Sequence, residues 1–206
     1  MSITFYTAPW SSASPVQLAL AELGVPHEAI SLNLQAKEQK KAEFLKLNPN
    51  GKVPTLVVDG TPMFEALAIM QWLGDRYGVE KGLWPEPSSK DRLTALSWST
   101  WAYVTMGSHL YRLVLTSSER ADPALHSAKH AEQAKNELSA LLRILDERLS
   151  AQPYLLGAKY SLADLIVVNV VNFGKTVGMP VDGHANVQAW VARCFERPAY
   201  KQLYSP

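Results

Sequence analysis

The chain has 206 residues, 47% of them apolar and 19% charged, with a formal net charge of +1; that is enough apolar material for one or two packed cores and argues against a disordered protein. No basic run exceeds the Lys40–Lys41 pair, so a nucleic-acid or membrane-surface role has no electrostatic footprint. The longest apolar stretch, Leu165 to Val171, is broken by Asn169 and falls far short of the ~20 residues of a membrane span, while Met1 to Tyr6 lacks the layout of a signal peptide; a soluble, cytoplasmic protein is expected.

In chain order, residues 3–8 are β-prone and stop at Pro9, which predicts a short strand. Ser11, Ser12 and Ser14 follow, then an apolar series with Val16, Leu20 and Leu23 at helical spacing, closed by Gly24. Ser14 ahead of Pro15 fits an N-cap with proline at the first helical position. Residues 27–33 read as a second strand, which completes a β-α-β unit. A turn cluster at Asn48-Pro49-Asn50-Gly51 leads into a strand over residues 53–58, with Asp59-Gly60 as a hairpin signal. Pro54 inside that strand lacks a donor; a cis bond at the strand's start would turn the backbone of Val53 toward a ligand. Glu65 to Tyr77 reads as a helix with Ile69, Trp72 and Leu73 on one side.

Residues 78–90 hold two glycines and two prolines and form the best linker in the chain. Beyond them the pattern is helical nearly throughout. Leu138, Leu141, Leu142, Leu145 and Leu149 make one stripe. Ser161-Leu-Ala-Asp164 is a capping box with Asp in place of Glu. The β-branched run behind it would be a strand on propensity alone; the cap predicts a buried helix instead. The single cysteine, Cys194, permits no intrachain disulfide and no Cys-x-x-Cys pair. It reads as a small buried hydrophobe, and chemistry through a protein thiol is disfavoured.

Two segments, Asn48-Pro-Asn-Gly-Lys-Val-Pro-Thr-Leu56 and Phe64-Glu-Ala-Leu-Ala-Ile-Met-Gln-Trp-Leu73, resemble the glutathione transferase superfamily, as do Ser161 to Asp164, Trp190 and Arg197-Pro-Ala199. The bacterial beta-type members look closest, with a pattern that runs without gaps from Pro9 to Gly24. The resemblance implies a thioredoxin-like α/β N-terminal domain over residues 1–78, a linker over 79–90 and an all-α C-terminal domain over 91–206. It also implies a homodimer, glutathione as co-substrate and no metal.

Glutathione attacks as a thiolate. A free thiol with pKa near 8.5 is only about a few per cent ionised at neutral pH, and lowering the pKa by two units takes ~2.7 kcal/mol of preference for the anion. One or two aimed donors and the positive end of a helix suffice. Register with beta-type members puts Ser12 where they carry a cysteine, whereas the Ser-Ser-Cys-Ser loop of zeta-type members favours Ser11. Ser12 is therefore the first candidate and Ser11 the second; serines ahead of a helix are otherwise ordinary turn residues. Tyr6 is the third hydroxyl in range, with packing beneath the site as its expected role.

By the same resemblance, Val53 beside Pro54 offers its peptide groups to the cysteinyl part of the tripeptide by strand addition. Lys37 and Lys52 are candidates for the glycyl carboxylate. Glu65 binds the α-ammonium group, and helix N–H groups at Ala66 bind the α-carboxylate. Ala66 lacks the hydroxyl that many members have here, which removes a charge-assisted bond worth ~1.5–3 kcal/mol. Trp10, Tyr103, Met106 and His109 are the candidates for the second-substrate pocket. The expected activity is conjugation of the glutathione thiolate to a small hydrophobic electrophile in detoxification. The alternatives are a glutathione-dependent isomerase and a binding protein of the same fold with weak or no catalysis. A glutaredoxin-like disulfide exchanger fails for want of a cysteine in the first domain.

Overall fold

A computed structural model describes residues 1–119 and 121–204. The chain divides into two compact units that meet in sequence at Trp84–Pro85.

In the first unit, β1 (Ile3–Thr7) runs parallel to β2 (Glu28–Ser31) and antiparallel to β3 (Thr55–Val58). β4 (Thr61–Phe64) returns antiparallel beside β3, so the order is β2-β1-β3-β4. Alternation along β1 buries Ile3 and Phe5. The β3–β4 turn uses Asp59 at φ +46° and Gly60 at φ +83°, the paired left-handed conformation that an Asp-Gly hairpin needs. The Asp59 carboxylate also accepts the Ser2 N–H at 2.7 Å, clipping the N-terminus to the turn. Pro54 sits one residue before β3 in a cis peptide bond with Val53. Pro54 is therefore not asked to donate to the ladder.

Helix α1 (Ser14–Glu22) begins one residue earlier than the Ser14-Pro15 pair predicts. Ala13 is its N-cap, because the chain turns already at Ser11, whose carbonyl accepts the Ser14 N–H at 3.2 Å. At the other end Gly24 takes φ +57°, and the Gly24 and Val25 N–H groups return to the carbonyls of Ala21 and Leu20, both at 3.0 Å. That double closure is why glycine stands there. After the single turn of α2 (Ala42–Leu45), α3 spans Ala66–Leu73. It is shorter than the predicted Glu65–Tyr77. Glu65 lies outside it at φ +72°, and at Gly74 the helix passes into a π-helical turn, Gly74–Gly78. Its buried side chains are Ala66, Ile69, Met70 and Leu73. Trp72, expected on that face, is only half-buried, since at 100° per residue it lies roughly 100° from the stripe's centre.

The named elements of the second unit are all helices among the described residues. Ser89 caps α4 (Lys90–Thr100) by accepting the Arg92 N–H at 3.2 Å. A π-helical segment, Trp101–Met106, joins α4 to α5 (Gly107–Ser117). The long α6 (Ala128–Ser150) buries Leu138, Leu142, Leu145 and Leu149 and leaves Leu141 at the edge. α7 (Leu162–Thr176) holds the β-branched run, with every residue from Leu162 to Val168 buried. The cap outweighs propensity here because tertiary burial rewards any apolar residue in a central helix. α8 (Ala185–Phe195) and α9 (Pro198–Tyr204) complete the unit.

One carboxylate ties three segments of it together. Asp164, fully buried, accepts the Ser161 N–H at 2.9 Å, the Ser161 hydroxyl at 3.0 Å, the Leu155 N–H at 2.8 Å and the Trp190 indole N–H at 2.9 Å. Burial pushes this carboxyl above the usual range, and the four donors pull against it. Cys194 is buried as expected. Among the described residues no helix is long and apolar enough to cross a membrane.

Candidate functional site

Strand register brings the candidate residues of the first unit to one end of its sheet. Thr55 pairs with Tyr6 on one side and with Phe64 on the other. The loop after β1, the Val53–Pro54 corner before β3 and the Glu65–Ala66 start of α3 therefore leave the sheet at the same end. Ser31 pairs with Thr7, and the Leu32 N–H donates to the Thr7 carbonyl at 2.8 Å, which adds the segment after β2 to the same cluster.

The two serines differ in what they hold. The Ser11 hydroxyl donates to the Ala8 carbonyl at 2.7 Å and accepts the Ala13 N–H at 3.2 Å. Both bonds stay within its own loop. The Ser12 hydroxyl, on an exposed residue, donates to the Val53 carbonyl at 2.8 Å across 41 positions of sequence. It is the bond that joins loop to corner. No acceptor among the described residues takes the Val53 N–H, although Val53 is 6% exposed. Tyr6 packs its ring edge-on against Phe44 at 5.4 Å, in keeping with a packing role.

A second layer, read from sequence only as a turn, shapes the corner. Asn48 is 2% exposed, and its amide donates to the Lys52 carbonyl at 2.8 Å and the Thr55 hydroxyl at 3.0 Å. The Thr55 hydroxyl in turn donates to the Lys52 carbonyl at 3.3 Å. Gly51 turns at φ +57°, and a Cβ there would lie 2.8 Å from the Gln39 carbonyl oxygen. The signal for Asn48 was present, since a buried side chain that can both donate and accept is what a turn ahead of a strand requires.

Glu65 is exposed at φ +72°, ψ +114°, a backbone conformation costing of order 1–3 kcal/mol for a non-glycine residue. Its carbonyl accepts the Ile69 N–H at 3.0 Å, so it launches the helix without being part of it. Ala66 is buried at the first position. Lys37, at φ +56°, and Lys52 are both exposed.

Beside the β1–α1 loop lies a cavity of about 540 Å³ lined by Ala8, Pro9, Leu32, Asn33, Leu34 and Glu38, among others. Glu38 is fixed there by the Asn33 N–H at 2.8 Å and the Lys41 ammonium at 3.3 Å, which hold its carboxyl below the usual range. Sequence reasoning missed this wall. The available signal was topological, because in a β-α-β unit both parallel strands end on the same edge.

The second-substrate candidates fare unevenly. Trp10 is 94% exposed at φ +55°, directly before the serines. Tyr103 is half-buried. Met106 is fully buried. His109 lies 2.9 Å from Glu137 through Nδ1 and 2.6 Å from Arg112, which itself pairs with Glu137. One ring nitrogen is thus committed to the α5–α6 seam. No cluster of metal-ligating side chains occurs among the described residues.

Comparison with known proteins adds the following. Residues 10–76 match the family model described as glutathione S-transferase, N-terminal domain, and residues 101–198 match the one for the C-terminal domain. Glutathione S-transferase GstB of Escherichia coli K12 is 29% identical over 195 residues, covering 94% of this chain and 92% of the relative. A glutathione S-transferase domain-containing protein of Dictyostelium discoideum is 28% identical over 97% of this chain and 79% of its own length. Among solved structures, the glutathione transferase URE2P6 from Phanerochaete chrysosporium, in complex with oxidised glutathione, superposes with a TM-score of 0.87 at 26% identity. That match covers 98% of this chain and 94% of the other.

Proposed function

The chain belongs to the glutathione S-transferase family, and from that premise we propose that it holds glutathione at the sheet end described above and transfers its thiolate to a small hydrophobic electrophile. The observation that carries this reading is the Ser12–Val53 hydrogen bond, which sets a hydroxyl beside the peptide groups that would receive the tripeptide. Neighbours such as URE2P6, solved with oxidised glutathione, support the choice of ligand.

The steps follow from the donors and acceptors. The Val53 N–H is open to a ligand carbonyl, and the Val53 carbonyl to the cysteinyl N–H, a short antiparallel pairing. As the ligand N–H arrives, it competes with the Ser12 hydroxyl for that carbonyl. The hydroxyl then rotates about Cα–Cβ toward the sulfur and donates to the thiolate. Ser11, whose hydroxyl is held at the Ala8 carbonyl, is the second candidate. Glu65 takes the α-ammonium group and the Ala66 N–H the α-carboxylate, while Lys37 and Lys52 serve the glycyl carboxylate. The electrophile rests in the cavity beside the loop, with Trp10 as a further contact. Sulfur attacks the electrophilic carbon, the leaving group departs with the bonding pair, and the thiol proton has already passed to solvent. We propose further that the protein works as a cytoplasmic homodimer and that detoxification is its role.

A binding role with weak catalysis is the rival reading, favoured by Ala66 and by the fact that both hydroxyls already donate within the protein. Retention on immobilised glutathione followed by a conjugation assay separates the two. Binding with turnover that falls in Ser12→Ala supports the enzyme. Binding with no turnover above the uncatalysed rate supports the rival, and no retention at all sinks both.

A further inference from the structure

The helical unit carries an open surface cavity of its own, about 320 Å³, between the C-terminal end of α6 and one side of α8. Its wall includes Ser150, Gln152, Pro153, Asn186, Ala189 and Arg193. Most of the side-chain donors of that wall are already taken. The Gln152 amide donates to the Tyr154 and Leu155 carbonyls at 2.7 and 2.8 Å, the Asn186 amide to Asp146 at 2.9 Å, and the Ser150 hydroxyl to the Glu147 carbonyl at 2.8 Å. The carboxylate behind the wall, Asp146, is covered by the Asn186 and Val187 N–H groups as well.

Arg193 is different. It is the one charged residue among those lining the cavity. Its guanidinium is held in place by an Nη2 bond to the Pro153 carbonyl at 2.9 Å and lies 5.9 Å from the centre of the Tyr154 ring. Its Nε is buried and has no hydrogen-bond partner among the described residues. A guanidinium carries five N–H donors and no acceptor; with one on Pro153 and the Nε–H shielded from solvent, the Nη edge is the part a guest can reach.

We propose that this cavity is a binding site for a small oxyanion, carboxylate or phosphate, docked on Arg193. A fixed guanidinium matches the oxygen spacing of both anions in two parallel bonds. The remaining wall offers a guest no competing cation and no free carboxylate. The volume sits at the lower end of small-molecule pockets, roughly 300 Å³ and upward, which accommodates an anionic head with a short carbon body.

The site makes no use of glutathione, so its test is independent of the catalytic reading. Isothermal titration of the intact protein with inorganic phosphate, and separately with malonate, is compared with chloride at matched ionic strength. One saturable site per chain is expected, at least fivefold weaker in Arg193→Gln and intermediate in Arg193→Lys. Ala189→Asp puts a carboxylate into the cavity one helical turn before Arg193, where it competes with a guest for the guanidinium; it should weaken binding at least as much while melting like the wild type. A response to phosphate alone or malonate alone assigns the head group. Heat no greater than that of chloride, or equal binding in wild type and Ala189→Asp, overturns the proposal.

Discussion

Ser11 and Ser12 are neighbours in sequence and opposites in what they hold. Ser11 braces its own loop, whereas Ser12 reaches the Val53 carbonyl 41 positions away. If Ser12 is the thiolate donor, Ser12→Ala removes a charge-assisted bond worth ~1.5–3 kcal/mol. We expect conjugation to slow by roughly ten- to a hundredfold, with the pKa of bound glutathione raised in a thiolate-absorbance titration. Ser11→Ala should act through loop geometry and leave that pKa nearly unmoved; the reverse pattern reassigns the donor. Asp146 supplies a prediction in pH. Burial raises its carboxyl, but the Val187 N–H, the Asn186 side chain and N–H, and nearby His184 outweigh this and hold it below the usual range. Its stabilisation is therefore complete above the unfolded value of about 3.9 and is lost as pH falls through the lower folded value. Chemical denaturation of wild type and Asp146→Ala should show a constant gap from neutral pH down to about pH 5, closing only in stronger acid. A gap that instead widens in acid contradicts the assignment.

For the elements, shape complementarity sets the costs. A Cβ on Gly74 would meet the Trp84 ring at 2.8 Å, and that ring is held by its indole N–H on Asp75 at 2.7 Å. Gly74→Ala should overpack the seam and destabilise by about 1–3 kcal/mol, despite alanine's better helix propensity. On α6, Leu142 is fully buried while Leu141 is at the edge. Leu142→Ala should cost about 2–5 kcal/mol in a urea titration, and Leu141→Ala clearly less. Equal losses at the two leucines would mean that the inward face of α6 is wrongly oriented.

For the whole molecule, ligand binding and folding share one free energy. Glutathione that binds only the native state adds about 2.7 kcal/mol at a hundred times its Kd. A thermal-shift titration should therefore raise Tm steadily with glutathione. A flat response at saturating glutathione would remove the premise of the proposed site. The α-ammonium contact is open to the same assay, since Glu65→Gln should shift the titration to higher glutathione concentration.

Much of this is legible in the sequence alone. The β-α-β opening, the Asp59-Gly60 hairpin, the buried α7 behind Ser161–Asp164 and the burial of Cys194 all follow from short-range patterns, and so do the segments that carry the family resemblance. Such features are local, because a turn, a cap or a period of 3.6 is decided by residues a few positions apart. What local rules missed are the outcomes set by distant neighbours. The helix start at Ala13 answers to the Ser11 turn, and the break at Gly74 is packed against Trp84. The chain by itself determined its β-α-β opening, its helical second half and the segments that carry its family resemblance. Only the tertiary structure decided that Ser12 faces Val53, that Asn48 braces the corner and that Arg193 opens onto a cavity, because each depends on groups brought together from far along the chain, where no local period or propensity reaches.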